Sequence, residues 1–182
     1  MRVITGTARG RRLETLEGLD VRPTTDKVKE SIFNIVQFDV KDSCVLDLFA
    51  GSGQLGIEAL SRGAASATFV DSSSRALSVV RRNLEHTGLA DTASLKNMGA
   101  TQFLTHTSDT FDLAFLDPPY RKQILDEVLP LLIPHMSDRG TVVCESSREE
   151  ELPETVGSYG KYREYQYGKI KLTVYRKRGD TD

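Results

Sequence analysis

Apolar residues along the chain recur in short runs that end in acidic or turn residues, a pattern typical of buried β-strands. Five such runs cover residues 44–48, 67–70, 93–95, 113–116 and 141–144. The stretches between them space apolar residues three or four positions apart, which predicts helices over 54–62, 74–86, 100–106 and 123–135. Strands that alternate with helices predict a parallel sheet with helices on both faces.

The C-terminal part of the chain has a different pattern. Residues 162–167 and 170–175 alternate and are separated only by Gly168 and Lys169, which predicts an antiparallel hairpin. Together with the five runs, this predicts a Rossmann-like, doubly wound α/β sheet of seven strands. We found no linker or repeat that marks a second domain, so residues 1–182 are expected to form one domain.

A further helix is predicted before the first core strand. Thr25 or Asp26 can cap it, and its apolar residues form one stripe, consisting of Val28, Ile32, Ile35 and Val36. We therefore expect the core to cover residues 23–182, preceded by a short N-terminal extension over residues 1–22.

Composition excludes several classes of protein. The chain has 182 residues, 38% of them hydrophobic and 27% charged, which suits one globular domain rather than a disordered chain. Its longest unbroken apolar run is only residues 113–116, and its first residues lack the apolar core of a signal peptide. We therefore expect a cytoplasmic protein without a membrane segment. The histidines form no metal-ligand spacing, so we expect no metal site.

Positive charge is concentrated at the two ends of the chain, although the net charge is −2. Residues 1–12 contain four arginines and no acid, and residues 161–178 contain seven basic residues and one acid. Such clusters are either solvated surface or contacts for phosphate groups.

A glycine-rich motif follows the first predicted strand. Gly51, Gly53 and Gly56 match the G-x-G-x-x-G pattern, and Asp71 lies twenty residues beyond Gly51, at the end of the next strand. Such glycines let the backbone approach a ligand, and the later acid binds ribose hydroxyls. The pattern implies an adenosine-containing cofactor but does not separate nicotinamide, flavin and S-adenosylmethionine.

A second motif, Asp117-Pro118-Pro119-Tyr120, follows the fourth predicted strand and lies beside the glycine loop. The prolines fix a turn that directs the Asp117 carboxylate and the Pro118 carbonyl into the cleft. The exocyclic amine of a nucleobase is a poor nucleophile because its lone pair is delocalised into the ring. Two acceptors bonded to its hydrogens favour a geometry with an available lone pair, and Tyr120 can stack on the base.

These motifs resemble one family over nearly the whole chain. The segment 22–34, the segments 47–53 and 56–62, and the tetrapeptide 117–120 are similar to those of the RsmD-type bacterial small-subunit rRNA guanine-N2 methyltransferases. The tetrapeptide is shared with DNA-adenine and protein-glutamine methyltransferases, so the segment 22–34 selects the rRNA group. The resemblance implies the class I methyltransferase fold and S-adenosylmethionine, which becomes S-adenosylhomocysteine. It implies a guanine of 16S rRNA as substrate, within an assembled or partly assembled small subunit, and we expect a monomer.

The candidate site residues fall into three groups. The catalytic candidates are Asp117, Pro118, Pro119 and Tyr120. The cofactor-binding candidates are Asp47, Phe49, Gly51, Ser52, Gly53, Asp71, Asn97 and Met98. The RNA-binding candidates are Arg9, Arg11, Arg12 and Arg22.

Three other functions share parts of this pattern. A DNA-adenine methyltransferase would use the same tetrapeptide, but the chain leaves no room for a target-recognition domain. An NAD-dependent oxidoreductase would use the glycines, but no acid or base for hydride transfer is evident. A non-catalytic RNA-binding assembly factor would have no use for residues 117–120.

Overall fold

The computed structural model describes residues 1–16, 24–119 and 123–179. Its helices are α1 (Asp26–Ile35), α2 (Gln54–Ser61), α3 (Ser74–Thr87), α4 (Ala100–His106) and α5 (Ile124–Leu132). Its strands are β1 (Cys44–Leu48), β2 (Ser66–Asp71), β3 (Ala93–Asn97), β4 (Phe111–Leu116), β5 (Met136–Ser147), β6 (Thr155–Val156), β7 (Tyr159–Tyr167) and β8 (Ile170–Lys177). None of the helices in these ranges is long and apolar enough to cross a membrane.

The strands form one sheet in the order β3-β2-β1-β4-β5-β8-β7-β6. The first five in this order are parallel, and the last three are antiparallel. This arrangement confirms the doubly wound sheet, the seven predicted strands and the C-terminal hairpin. The two-residue strand β6 adds a short eighth strand at the edge.

Helices cover both faces of the sheet. α1, α2 and α3 contribute buried side chains to one apolar cluster, and α4 and α5 contribute to the other. Thr25, rather than Asp26, caps α1, because its Oγ1 accepts a hydrogen bond from the Val28 amide at 3.3 Å. Val28 and Ile32 of the predicted stripe are buried against the sheet. The strand order changes direction between β1 and β4, so their carboxyl ends frame the crevice where ligands bind in such sheets.

The helix predicted over 123–135 is shorter in the structure. α5 ends at Leu132, and a 3₁₀ turn over Ile133–His135 follows it. Pro134 explains the change because it has no amide hydrogen to continue the helical ladder.

The N-terminal residues pack against the core instead of projecting from it. Val3 and Leu13 are buried, and Val3 and Arg11 are joined by a backbone hydrogen bond of 2.9 Å. Gly6 has a φ of 93°, and a Cβ there would lie 1.8 Å from the Ser61 carbonyl oxygen of α2. Only glycine fits this close approach.

Candidate active site

The loop between β1 and α2 has an unusual backbone. Phe49, Gly51 and Gly53 have φ values of 68°, 58° and 81°. Leu48 is in register with Val70 on one side and with Leu116 on the other, so the next residue, Phe49, lies between Asp71 and Asp117. A positive φ at a non-glycine residue is uncommon and is concentrated at functional sites.

Gly56 has a packing role that distinguishes it from the other glycines of the motif. A Cβ at this position would lie 2.4 Å from the Phe69 ring, so glycine allows α2 to pack closely on β2. A Cβ at Gly51 would meet no described atom within 4 Å. Gly51 is therefore required for its conformation, and the space beside it is open to a ligand.

The Asp71 carboxylate ties the end of β2 to the glycine loop. Its Oδ2 accepts a hydrogen bond from the Gly51 amide and its Oδ1 from the Ser73 amide, both at 2.9 Å. An ionised carboxylate offers about four acceptor positions, so further donors such as ribose hydroxyls can still bind.

Asn97 and Met98 lie next to Asp71, as the cofactor-binding prediction requires. The Asn97 amide group donates to the Asp71 carbonyl at 3.1 Å, and the Met98 backbone amide donates to the same oxygen at 3.1 Å. These donors hold the ends of β2 and β3 together. The Asn97 side chain is exposed at this edge, and Met98 packs partly against the apolar cluster of α4 and α5.

Asp47 is a buried acid with only 2% of its surface exposed. Its Oδ2 accepts a hydrogen bond from the Gly56 amide at 2.9 Å. Burial raises the pKa of Asp47 to about 8; the Gly56 amide opposes this, and the negative charges of Asp117 and Asp71 add to it. A cation placed among these acids would favour the ionised form of Asp47.

Asp117 belongs to a second group of polar side chains beyond the end of β4. Thr24 Oγ1 lies 3.2 Å from Asp117 Oδ2 and 3.3 Å from Glu145 Oε2. Burial raises the pKa of Asp117 to about 6, against the hydrogen bond that Thr24 donates. Pro118 is buried and Pro119 is exposed, so the turn is anchored on one side and open on the other.

The acidic residues suit an organic ligand with a positive charge and hydroxyl groups. Asp47, Asp71 and Asp117 lie at the carboxyl ends of three adjacent strands. In the part of the chain that the structure describes, no three acidic, histidine or cysteine side chains are placed to hold a metal ion. The Gln54 Oε1 atom, at the start of α2, is buried without a hydrogen-bond partner in the same part. Such a group commonly marks a place where a ligand or water completes the site.

The predicted RNA-binding arginines lie in the N-terminal segment. Arg9, Arg11 and Arg12 are exposed, and that segment also reaches the glycine loop. Asn83 of α3 donates to the carbonyl oxygens of Ser52 and Glu14, at 3.0 and 3.1 Å. Arg22 and Tyr120, two other candidate residues, lie outside the described residues.

Sequence reasoning missed Thr24 and Glu145. Glu145 follows the apolar run 141–144, just as Asp47, Asp71 and Asp117 end or follow theirs, so an acid at a strand end was a usable signal. Thr24 gave no such signal, because its contact with Asp117 spans 93 residues of sequence.

Comparison with solved structures defines the class of protein. An Escherichia coli structure described as "Putative methyltransferase yhhF" superposes with a TM-score of 0.87, at 37% identity over 97% of each chain. A more distant structure, described as an RNA methyltransferase of Pyrococcus horikoshii, shares the fold with a TM-score of 0.74 over 91% of this chain and 94% of that one, at 16% identity. The fold is that of the class I S-adenosylmethionine-dependent methyltransferases, as predicted.

Sequence comparison then gives the family. Residues 1–176 match the family described as "Conserved hypothetical protein 95", and this chain belongs to that family. It is 44% identical to "Putative rRNA methyltransferase YlbH" of Bacillus subtilis, over 98% of this chain and 100% of that protein. It is 35% identical to "Ribosomal RNA small subunit methyltransferase D" of Escherichia coli K12, over 100% and 93% of the two chains. The resemblance to RsmD-type enzymes is thereby confirmed.

Proposed function

We propose that this protein transfers a methyl group from S-adenosylmethionine to the exocyclic N2 of a guanine in 16S rRNA. One observation supports the chemistry above all. Asp71, bonded to the glycine loop, and Asp117, at the Pro-Pro turn, flank the end of β1. A cofactor on one side and a planar amine on the other would meet across a single strand.

The residues around the glycine loop would hold the cofactor. Phe49, Gly51, Ser52 and Gly53 would pass beneath it, Asp71 would accept its ribose hydroxyls, and Asp47 would lie near its amino acid end. Asn97 and Met98 would border the adenine. The bound cofactor supplies an activated methyl group on a sulfonium. The chain's own task is then mainly alignment, which by itself can supply a large part of the acceleration.

Asp117 and the Pro118 carbonyl would hold the target amine. With a pKa raised to about 6 by burial, Asp117 is mostly ionised at pH 7 and accepts a hydrogen bond from the amine. The Thr24 hydroxyl donates to the same carboxylate and fixes its orientation. Pro119 would keep the turn rigid, and Tyr120 would stack on the base.

The RNA substrate rests on the relatives and on surface charge. The Escherichia coli relative is named for the small ribosomal subunit, and the Bacillus subtilis relative for rRNA. Arg9, Arg11, Arg12 and Arg22 would contact phosphates, which position RNA without reading its bases. We propose that the protein acts as a cytoplasmic monomer on the assembled or partly assembled small subunit.

Incubation with radiolabelled S-adenosylmethionine tests the proposal. Small subunits from a strain that lacks this protein, their naked 16S rRNA, large subunits and unmethylated DNA would be compared as substrates. Mass mapping of nucleosides should then find N2-methylguanosine at one position of 16S rRNA, absent with Asp117→Ala. Methylated adenine in DNA, or no methyl transfer to any RNA, would refute the assignment.

A further inference from the structure

A groove on the α1 face of the sheet collects the exposed aromatic residues of the molecule. In the described parts of the chain, the large apolar side chains that are most exposed are Phe38, at 91%, and Tyr162, at 53%. Both line one open groove of about 490 Å³ between α1 and the β7–β8 hairpin. Exposed apolar side chains that cluster in one groove usually mark a binding surface.

Two arginines accompany these rings. Arg176 lies over the Tyr162 ring, with its Cζ 4.3 Å from the ring centroid, and Arg163 lies 5.8 Å from the same centroid. Asp39 accepts a hydrogen bond from Arg176 at 3.3 Å and so holds that guanidinium in place. The Tyr162 ring is therefore held in one orientation before any ligand binds.

A β-bulge brings these residues together. The register of β7 on β8 shifts between Lys161 and Arg163, so Tyr162 is an inserted residue. Alternation would otherwise send Tyr162 and Arg163 to opposite faces of the sheet, whereas both line the groove. Tyr165 and Tyr167, further along β7, line it as well.

The remaining basic residues of the C-terminal cluster are engaged elsewhere. Lys161 pairs with Glu154 at 3.2 Å and with Glu164 at 2.9 Å, and Lys177 pairs with Asp138. No acidic residue of the described chain lines the groove. The positive charge of the segment 161–178 is thus directed into the groove through Arg163 and Arg176, beside aromatic rings.

We propose that this groove, defined by Phe38, Tyr162, Arg163 and Arg176, binds a single-stranded segment of the RNA substrate outside the methylation site. Bases would stack on the two rings, and the guanidiniums would contact phosphates, the combination by which proteins bind single strands without reading sequence. The inference rests on the proposed function for the choice of RNA over other partners.

The groove is separated from the methylation site by the length of α1. Thr24 contacts Asp117 just before α1 begins, whereas Asn34, near the other end of α1, lines the groove. Ten residues of helix span ~15 Å, so one bound RNA could reach both places while the groove residues stay clear of the reacting atoms. Loss of the groove should raise the KM for RNA and leave kcat nearly unchanged.

Fluorescence anisotropy with a labelled single-stranded RNA octamer tests the stacking. Phe38→Ala and Tyr162→Ala should each weaken binding by about fivefold or more, the size expected for one lost base–ring stack. Phe38→Tyr and Tyr162→Phe keep a ring and should bind like the wild type. An octamer of abasic ribose phosphate should bind the wild type and both alanine variants equally weakly. Equal binding of the base-containing octamer by the wild type and both alanine variants would overturn the proposal.

Methylation kinetics on small subunits complete the test. Arg163→Ala should raise KM and reduce the salt dependence of binding, whereas Arg139→Ala, an exposed arginine of β5, serves as the control. If the ring variants lose affinity for intact subunits but not for the octamer or naked rRNA, the groove binds a ribosomal protein and the proposal is wrong. If the rings govern octamer binding but no RNA is methylated, the proposed function fails and the groove assignment stands.

Discussion

Replacing Glu58 with glutamine should destabilise the fold strongly, because this buried carboxylate joins three parts of the molecule. It accepts hydrogen bonds from the Ile4 and Thr5 amides at 2.9 and 3.0 Å, and from Arg62 Nε at 3.0 Å. Its other oxygen lies 3.7 Å from the Lys29 ammonium, and both side chains are fully buried. Lys29 in turn donates to the Arg2 carbonyl at 2.6 Å.

The size of the effect follows from the charge left behind. Glutamine keeps the shape and one acceptor, but Lys29 would lose its buried counter-charge, and an NH₂ group would face a donor. Burial already lowers the pKa of Lys29, and the Glu58 charge is the main influence that opposes this. Breaking a buried ion pair from one side costs about 3–5 kcal/mol, a large fraction of the ~5–15 kcal/mol that stabilises a domain.

Urea unfolding followed by circular dichroism measures this loss, and hydrogen exchange reports whether the Ile4 and Thr5 amides become accessible. Lys29→Met combined with Glu58→Gln removes the stranded charge, so the double variant should be less destabilised than the two single variants summed. Exposed Glu85→Gln on α3 is the matched control and should stay within about 0.5 kcal/mol of the wild type. A loss below about 1 kcal/mol for Glu58→Gln, with both amides still protected, would refute the reasoning.

Three further predictions concern the site. Asp71→Ala should weaken S-adenosylmethionine binding by roughly 1.5–3 kcal/mol for each charge-assisted bond lost, and an unchanged Kd by calorimetry would count against its role. Asp117→Ala should lower the methylation rate by about a hundredfold at nearly intact cofactor affinity. Because the ionised Asp117 is the acceptor and its pKa is about 6, wild-type turnover should fall as the pH drops through about 6; a flat profile would contradict this. Replacing Arg9, Arg11 and Arg12 with alanine should reduce the salt slope of RNA binding by about 0.7–0.9 per lost phosphate contact and spare cofactor binding; an unchanged slope would make them solvated surface.

The local patterns of the sequence predicted the sheet well because each core strand is short, apolar and bounded. The runs at 44–48 and 113–116 became β1 and the end of β4, and the C-terminal alternation became the hairpin. Asp47, Asp71 and Asp117 were found because strand ends in such sheets meet at one edge. These inferences needed only the residue types and the parallel order of the strands.

Contacts between distant segments could not be predicted in this way. Nothing local to Glu58 indicates that it binds Ile4 and Thr5, because the partners are more than fifty residues away and are backbone amides. The bulge at Tyr162 was missed for a similar reason. An unbroken alternation over 162–167 was the expectation, and the inserted residue becomes evident only from the register of β7 on β8.

The acidic edge of the sheet also has a consequence for the order of events in a catalytic cycle. Asp47, Asp71 and Asp117 repel one another, and Asp47 and Asp117 have raised pKa values. An RNA phosphate approaching this edge would meet the same repulsion. A positively charged ligand among the acids lowers it, and a ligand that has lost its sulfonium charge lowers it less. We therefore expect RNA to bind more tightly after S-adenosylmethionine than after S-adenosylhomocysteine, so that methyl transfer itself promotes release of the modified RNA.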